Sequence, residues 1–193
     1  YFDQALSALS HLPETRDTNT LAIDLRLALR TALFPSGDSG RILAALREAE
    51  ALAAALDDPR RLGQVSIFLT IHFYTRGAHD QAIAAAQRAL TLAAVSGEIV
   101  LHALANLYLG RVYEAHGDYR QAIDCLRQTV AFFDGAGHHE RFGQVVPPAV
   151  SSRALLVVCH AELGAFAEGS VLGEEGLRIA EAMAHPASLM YGY

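Results

Sequence analysis

Residues 107–123 read Leu107-Tyr-Leu-Gly-Arg-Val-Tyr-Glu-Ala-His-Gly-Asp-Tyr-Arg-Gln-Ala-Ile123, and this stretch decides the fold. Gly110 lets a neighbouring helix approach closely, and Gly117 supplies the left-handed residue that ends a first helix. Asp118 stands where a side chain caps the next helix. Ala122 is small where the two helices would cross. The stretch therefore predicts two antiparallel helices joined by a tight turn.

The same pattern recurs along the chain, with a glycine followed five residues later by a small or apolar residue. The pairs are Gly37 with Ile42, Gly77 with Ala82, Gly117 with Ala122, and Gly164 with Gly169. The glycines lie 40, 40 and 47 residues apart. A regular period in this range is typical of stacked helical pairs. The sequence thus predicts an all-α repeat protein.

The repeat resembles the tetratricopeptide repeat (TPR). The residues that carry the likeness are Leu109, Gly110, Tyr113, Gly117, Asp118, Tyr119, Ala122 and Leu126. The resemblance implies a right-handed superhelical solenoid of antiparallel helix pairs. A consensus repeat has about 34 residues, and we assign the extra residues of each period to a longer second helix, as in residues 41–56.

Some positions depart from the TPR pattern. Arg30 and Thr70 stand where the first helix usually has glycine, which widens that helix contact. Gly169, Gly173 and Gly176 fall on one predicted helix, at a cost of about 1 kcal/mol each relative to alanine. Either this helix meets another backbone at close range or its pair is loose. We expect close packing, because the rest of the helix is apolar.

We expect one array over residues 1–193. Its parts are a second helix of a truncated repeat (1–18), repeat 1 (19–58), repeat 2 (59–97), repeat 3 (98–134), an insertion loop (135–149), repeat 4 (150–185) and the start of a truncated repeat (186–193). Neither end carries the polar cap of a complete solenoid. This pattern indicates a fragment of a longer array.

A second resemblance concerns residues on turns and helix surfaces. It rests on Leu12-Pro-Glu-Thr-Arg-Asp-Thr, Ala22-Ile-Asp-Leu-Arg-Leu-Ala-Leu-Arg, Arg41-Ile-Leu, Leu46-Arg-Glu-Ala-Glu-Ala-Leu, Asp57-Asp-Pro-Arg-Arg-Leu-Gly, Glu140-Arg-Phe-Gly and Ala161-Glu-Leu-Gly. These stretches resemble the TPR array of bacterial multidomain class III adenylate/guanylate cyclase–ATPase signalling proteins. The resemblance implies a regulatory segment of a cytoplasmic signalling protein whose catalytic domains lie elsewhere.

Composition excludes several classes of function. The formal net charge is −6, and all fifteen basic residues are arginines scattered along the chain, so no basic stripe is present for nucleic acid. The longest strongly apolar stretch, residues 154–159, is far shorter than the roughly 20 residues that span a bilayer. Cys125 and Cys159 have neither zinc-site nor disulfide spacing, and we interpret them as reduced packing residues.

No catalytic motif is present in the sequence. A phosphate-binding loop of the Walker type requires lysine, which the chain lacks. Neither the Gly-x-Ser-x-Gly nor the His-Glu-x-x-His pattern occurs. His138 and His139 are adjacent, so on a helix they would point about 100° apart and could not easily share an ion. We expect no enzyme, no metal and no cofactor in this stretch.

The insertion loop is a candidate binding element, because insertions in repeat proteins map to one face that often binds a partner. The residues singled out are His138, His139, Arg141 and Phe142. Phe142, Val145 and Val146 look exposed from the sequence, and Pro147 with Pro148 stiffens the entry to the next helix. The alternative is a spacer that only re-aims repeat 4.

The first helices of TPR pairs line a concave face that binds extended or helical peptides. By this frame the candidate partner-binding residues are Gln64, Phe68, Ile71 and Thr75 in repeat 2, and Leu104, Tyr108, Arg111 and Glu114 in repeat 3. Thr31 and Ser151 flank them. Carboxylate clamps of this family use several basic residues and asparagines, and Arg111 is the one that qualifies, so such a clamp is not favoured. Phe68, Ile71 and Tyr108 either form an apolar groove or pack inside the stack.

The predicted function is a non-catalytic scaffold that binds a protein or peptide of unknown identity. Two alternatives remain open. Apolar end faces could stack on other copies and form a homo-oligomer. The groove or the insertion could instead close on a small-molecule effector.

Overall fold

The computed structural model describes residues 1–134, 139–184 and 186–192. Ten α-helices occur in these ranges: α1 (Phe2–Leu9), α2 (Arg16–Leu33), α3 (Ser39–Ala55), α4 (Pro59–Tyr74), α5 (His79–Ser96), α6 (Ile99–His116), α7 (Tyr119–Phe133), α8 (Pro148–Glu162), α9 (Phe166–Met183) and α10 (Pro186–Gly192). A short 3-10 helix, Phe34–Ser36, follows α2. Neighbouring helices pack as antiparallel pairs, as in α2 with α3, α4 with α5 and α8 with α9. The all-α prediction of helix pairs is confirmed.

The turns between paired helices use the glycines that the sequence singles out. Gly37, Gly77, Gly117 and Gly164 have φ values of 69°, 71°, 88° and 75°, all in the left-handed region. The capping prediction at Asp118 is wrong in one respect. Asp118 occupies the N-cap position of α7, but its side chain accepts no capping hydrogen bond from the described residues.

The chain divides into two compact units, Tyr1–His102 and Ala103–Tyr193. In the first unit, α2 pairs with α3 and α4 pairs with α5. Their apolar stripes meet in one core, formed by Ile23, Ile42, Leu46, Ala49, Ala53, Val65 and Leu69. The guanidinium of Arg61 on α4 bonds the carboxylate of Asp24 on α2 at 3.0 Å and that of Asp58 at 2.9 Å. The first unit is thus held by a continuous apolar core with ion pairs at its surface.

In the second unit, α6 and α7 approach closely at Gly110. A Cβ atom at position 110 would lie 2.7 Å from Cγ of Leu126 and 3.2 Å from the carbonyl oxygen of Ala122. The Thr129 hydroxyl of α7 donates to the carbonyl of Ala103 on α6 at 3.3 Å. Glycine is therefore required at position 110 by the space available, as the sequence predicts.

The glycines of α9 also face α8. Cβ atoms built on Gly169 and Gly173 would lie 3.5 Å from His160 and Val157 respectively, and one on Gly176 would lie 3.3 Å from Arg153. Gly169 and Gly176 are buried. Of the two interpretations of these glycines, close packing against a neighbouring helix is the one observed.

Candidate functional site

The first candidate surface lies on α4 and is formed by Gln64, Phe68, Ile71 and Thr75, which we call the α4 surface. Gln64, Phe68 and Ile71 are half-buried, and Thr75 is exposed. Phe68 also packs against the apolar core of the first unit. The α4 surface is accessible, but its central aromatic residue also contributes to the core.

Phe68 has a partner that the sequence does not reveal. The guanidinium carbon of Arg30 lies 4.5 Å from the centre of the Phe68 ring and 4.8 Å from that of Phe34. Arg30 is only 7% exposed. An arginine between two aromatic faces is stabilised by cation–π attraction that grows as water is excluded. Arg30, which stands where the repeat usually has glycine, thus packs against Phe68 and fills the space between the helices.

His72, one turn after Phe68, is buried next to this cluster. Its ring meets that of Phe73 edge-on, with the ring centroids 5.5 Å apart. Burial lowers the pKa of His72, and the positive charges of Arg76, Arg30 and Arg47 lower it further. His72 therefore favours the neutral imidazole in the folded protein.

The second candidate surface lies on α6 and is formed by Leu104, Tyr108, Arg111 and Glu114, which we call the α6 surface. Leu104 is 8% exposed and belongs to the core of the second unit. Tyr108, Arg111 and Glu114 are half-buried. The α6 surface thus offers one aromatic hydroxyl, one cation and one carboxylate along about two turns of helix.

Arg111 is half-buried on α6. Its Nε atom is buried and has no hydrogen-bond partner. No ion pair joins its guanidinium to a described carboxylate, including that of Glu114 three residues later. A half-buried cation without a counter-charge is unfavourable. Arg111 is therefore the feature of the α6 surface best suited to receive an anionic group.

The insertion returns to the α6 surface through a tight turn. The Gln144 N–H donates to the carbonyl of Arg141 at 2.7 Å, and the two residues between them, Phe142 and Gly143, have φ values of 46° and 77°. Positive φ at both central positions is the pattern of a type I′ turn. A phenylalanine in this conformation costs about 1–3 kcal/mol, so other contacts must hold it.

Two contacts hold this turn, which we call the 141–144 turn. The Tyr108 hydroxyl donates a hydrogen bond to Oε1 of Gln144. The ring of Phe142 packs on the ring of Phe133, at the end of α7, with a centroid distance of 5.2 Å. Phe142 is therefore half-buried, whereas the sequence predicts that it is exposed. The position of Phe142 depends on its contact with α7, and the position of Gln144 depends on its hydrogen bond to α6.

The other insertion residues take different positions. His139 and Arg141 are exposed, and His138 lies outside the described residues. Val145 is 74% exposed, as predicted, but the prediction for Val146 is wrong. Val146 is 7% exposed and packs with Val150 and Ala180. An alternating pattern of apolar residues after a tight turn buries one of two neighbours, and the sequence alone does not say which.

Arg153 fixes the end of α7 to α8 and α9. It is 3% exposed; its Nε atom donates to Glu175 of α9 at 3.2 Å, and its Nη1 atom donates to the carbonyl of Ala149 at 3.1 Å. Its Nη2 atom also bonds the carboxylate of Asp134. All three guanidinium nitrogens thus donate hydrogen bonds. A buried arginine is tolerated when its donors are satisfied in this way.

A groove of about 390 Å³ lies between α7, α8 and α9. Its walls are mainly apolar, and the residues that line it are Arg127, Val130, Ala131, Asp134, Leu156, His160, Glu168, Val171 and Leu172. His160 is 5% exposed, and neither of its ring nitrogens has a hydrogen-bond partner. Unsatisfied buried nitrogens are uncommon in folded proteins, so His160 marks this groove as a second place of chemical interest.

The thiols show no sign of reactivity. Cys159 is buried, Cys125 is half-buried, and both are free. Burial is the main cause that raises each pKa to about 11, with a nearby carboxylate acting in the same direction. At neutral pH both cysteines are protonated packing residues.

The part of the chain that the structure describes contains no cluster of three or more histidine, cysteine, aspartate or glutamate side chains placed to hold a metal ion. None of its helices combines the length and the apolar character needed to cross a membrane.

Comparison with solved structures identifies the fold. The chain is similar to the aspartyl phosphate phosphatase F of Bacillus subtilis, with a TM-score of 0.82 and 14% identity over 99% of this chain and 47% of that one. It is similar to a Rap protein complexed with Competence and Sporulation Factor, with a TM-score of 0.83 and 15% identity over 99% of this chain and 50% of that one.

A third similar structure is a kinesin light chain from Podosopora anserina with nearly identical TPR-like repeats. The TM-score is 0.69 and the identity 16%, over 95% of this chain and 85% of that one. The chain spans about half the length of the first two structures. No protein-family model and no curated protein matches the sequence. The fold is that of a TPR-like helical-repeat protein.

The sequence predicts the candidate residues of the α4 and α6 surfaces, but it does not reveal Arg30 and Gln144, which contact them in the structure. Arg30 could have been noticed because Phe34 follows four residues later, on the same helical face. Gln144 gave no signal, since nothing in its neighbourhood along the chain indicates a bond to Tyr108.

Proposed function

We propose that this chain is a non-catalytic scaffold for protein interaction, and that its α6 surface binds a partner segment through a carboxylate placed on Arg111. The TPR-like fold supports the general class, because such folds present side chains along helices rather than in a closed active site. The particular site rests on the chemistry of the α6 surface.

The observation that carries the proposal is the unpaired state of Arg111. Arg16, Arg76, Arg120 and Arg127, which form no ion pair with a described carboxylate, are exposed to solvent. Arg111 is half-buried and has a buried Nε atom without a partner. A partner carboxylate would form charge-assisted hydrogen bonds with the guanidinium, which are stronger than neutral ones. A single contact between Arg111 and a carboxylate does not require the several basic residues of a TPR carboxylate clamp.

The proposal is tested by selecting peptides from a random displayed library on the 193-residue chain. Selected peptides should contain an acidic residue, and Arg111→Gln should weaken their binding at least about tenfold, which corresponds to about 1.4 kcal/mol. The matched control is Arg120→Gln, at an exposed position of α7 in the same unit, which should bind as the wild type does. Selected peptides that bind Arg111→Gln unchanged would contradict the proposal.

We also propose that this scaffold is a regulatory segment of a larger bacterial signalling protein of the cyclase–ATPase type. The turn and helix-surface residues that resemble such arrays support this context. One similar structure, the Rap protein, was solved with Competence and Sporulation Factor bound, which fits a role in binding signalling partners. Co-purification of the chain with the neighbouring domains of its full-length protein is the appropriate test.

A small-molecule effector site is a second candidate function, favoured by the groove between α7, α8 and α9. His160 has two buried ring nitrogens without partners beside apolar walls. A compact apolar ligand with a hydroxyl group would suit this combination. A ligand that binds the folded state raises the melting temperature, so thermal shifts with phenols and small alcohols, lost in His160→Leu, would support an effector site.

Self-association remains a further prediction. Phe166 and Val171 of α9 are 70% and 58% exposed, and exposed apolar side chains favour contact with another copy. Sedimentation over a wide concentration range tests it, since a constant monomer mass would contradict it.

A further inference from the structure

The 141–144 turn makes contacts that a binding partner of the α6 surface would be expected to make. Gln144 accepts a hydrogen bond from the hydroxyl of Tyr108. Tyr108 lies three residues before Arg111 on the same helix face. A segment from the same chain thus already occupies part of the proposed binding surface, beside the unpaired arginine.

The turn adopts this position against its local preference. Phe142 has a φ of 46°, although bulky residues avoid the left-handed region, and it is held there by the ring of Phe133. Residues kept in strained conformations cluster at ligand clamps and switch regions, where the surrounding structure compensates for them. Release of Gln144 would remove one of the two contacts that oppose this strain. The turn is therefore poised to leave the surface when another group replaces Gln144.

We infer that the 141–144 turn is an internal occupant of the α6 surface, which a partner displaces by offering its own hydrogen-bond acceptor to Tyr108 and a carboxylate to Arg111. This inference rests on the proposed function of the α6 surface. It extends that function by stating the partner's pattern and by giving the insertion a role in regulating access.

The spacing of the two groups defines the partner pattern. Side chains three residues apart on a helix have Cβ atoms about 5–6 Å apart. In an extended peptide, residues two apart lie on one face at about 7 Å, given a rise of about 3.3 Å per residue. The partner is therefore an extended segment with a carboxamide or hydroxyl residue two positions from an aspartate or glutamate.

The probe is a synthetic peptide with the sequence of residues 139–147 and the change Val146→Glu, which places glutamine and glutamate two residues apart. A second peptide also carries Gln144→Ala. Both are titrated into the wild-type chain, into Gln144→Ala and into the control Gln121→Ala, which changes an exposed glutamine of α7. The probe is also titrated into Arg111→Gln, alone and combined with Gln144→Ala. Binding is measured by calorimetry.

A tethered segment competes at an effective concentration in the millimolar range. The probe should therefore bind Gln144→Ala at least about tenfold more tightly than it binds the wild type or Gln121→Ala. The second peptide should bind all three at least about tenfold more weakly than the probe binds Gln144→Ala, because it lacks the acceptor for Tyr108. Faster amide hydrogen exchange at residues 142–146 of Gln144→Ala, with exchange in α6 and α8 unchanged, should accompany release of the turn.

The other outcomes distinguish the displacement of the 141–144 turn from the proposed binding role of Arg111. Equal binding of the probe to the wild type and Gln144→Ala, lost in Arg111→Gln, would overturn the internal occupant and leave the proposed function in place. Tighter binding by Gln144→Ala that Arg111→Gln does not weaken would support displacement and contradict the proposed role of Arg111. Absence of binding to every protein would overturn the inference.

Discussion

Gly110 of α6 lies directly against Leu126 of α7, so closely that a Cβ atom at position 110 would be 2.7 Å from Cγ of Leu126. Leu126 is fully buried and the Ala122 carbonyl lies on the same side, so neither neighbour can move away easily. The spacing of α6 and α7, and with it the position of the α6 surface, depends on this contact.

Gly110→Ala should therefore destabilise the protein by about 1–3 kcal/mol, the usual cost of overpacking a core. The measurement is urea unfolding followed by circular dichroism. The matched control is Gly173→Ala in α9, where the added Cβ would meet Val157 at an ordinary 3.5 Å. That variant should be neutral or more stable by up to about 1 kcal/mol, because alanine favours helix. Equal effects in both variants would contradict the close approach at Gly110.

Substitutions at Gly117 test whether the turn requires a left-handed backbone, because an added side chain would not clash with a neighbour. Its φ is 88°, and a Cβ there would meet nothing within 4 Å. Gly117→Val should cost about 2 kcal/mol, because a β-branched residue is poorly accommodated at positive φ. Gly117→Asn should cost less than half as much, since asparagine tolerates this region. Unchanged thermal unfolding of Gly117→Val would count heavily against the repeat frame.

The arginine at position 153 should be essential for the second unit. Arg153→Met removes bonds to Asp134, Glu175 and the Ala149 carbonyl and should destabilise the protein by about 3 kcal/mol. The control Arg178→Met changes an exposed arginine of α9 and should shift stability by less than about 0.5 kcal/mol. Urea titrations of the two variants provide the comparison, and similar midpoints would contradict the assignment of Arg153.

His72 should make stability sensitive to acid. Its pKa is lowered in the folded state by burial and by nearby arginines, while the unfolded chain binds a proton near the ordinary pKa of 6.5. As the pH falls through this value, the unfolded state binds more protons than the folded state does. The free energy of unfolding therefore decreases until the lower folded-state pKa is reached. Above about pH 7 the contribution is fully present.

His72→Gln should accordingly flatten the loss of stability between about pH 7 and pH 5. The control is Gln87→Ala, which changes an exposed side chain of α5 that does not titrate and should keep the wild-type slope. The measurement is the melting temperature of each variant across this pH range. A wild-type slope in His72→Gln would mean that other groups cause the acid sensitivity.

The helices and their turns could be predicted from the sequence because they depend on local rules. Gly37, Gly77 and Gly117 end helices through a backbone preference that each residue carries by itself. Close packing at Gly110 and Gly169 was also predictable, because a glycine within an apolar helix lowers helix stability unless a neighbouring helix packs closely against it. Local preference and tertiary packing agree at these positions.

The site could be predicted only in outline, because its decisive contacts join distant residues. Phe142 adopts a conformation that its local preference opposes, and Phe133 holds it there. Arg30 is buried by Phe68, which lies in another helix pair. Such contacts arise from tertiary packing that overrides local propensity, so helical spacing placed Tyr108 and Arg111 on one face without revealing Gln144.

The most direct test of the central claim is to map a selected acidic peptide onto the 193-residue chain by backbone amide chemical shifts. We predict that the shifts cluster at Tyr108, Arg111 and the 141–144 turn, and that they disappear in Arg111→Gln. Shifts that fall instead on the exposed sides of α7 and α9, with α6 unaffected, would contradict the assignment of the α6 surface as the binding site.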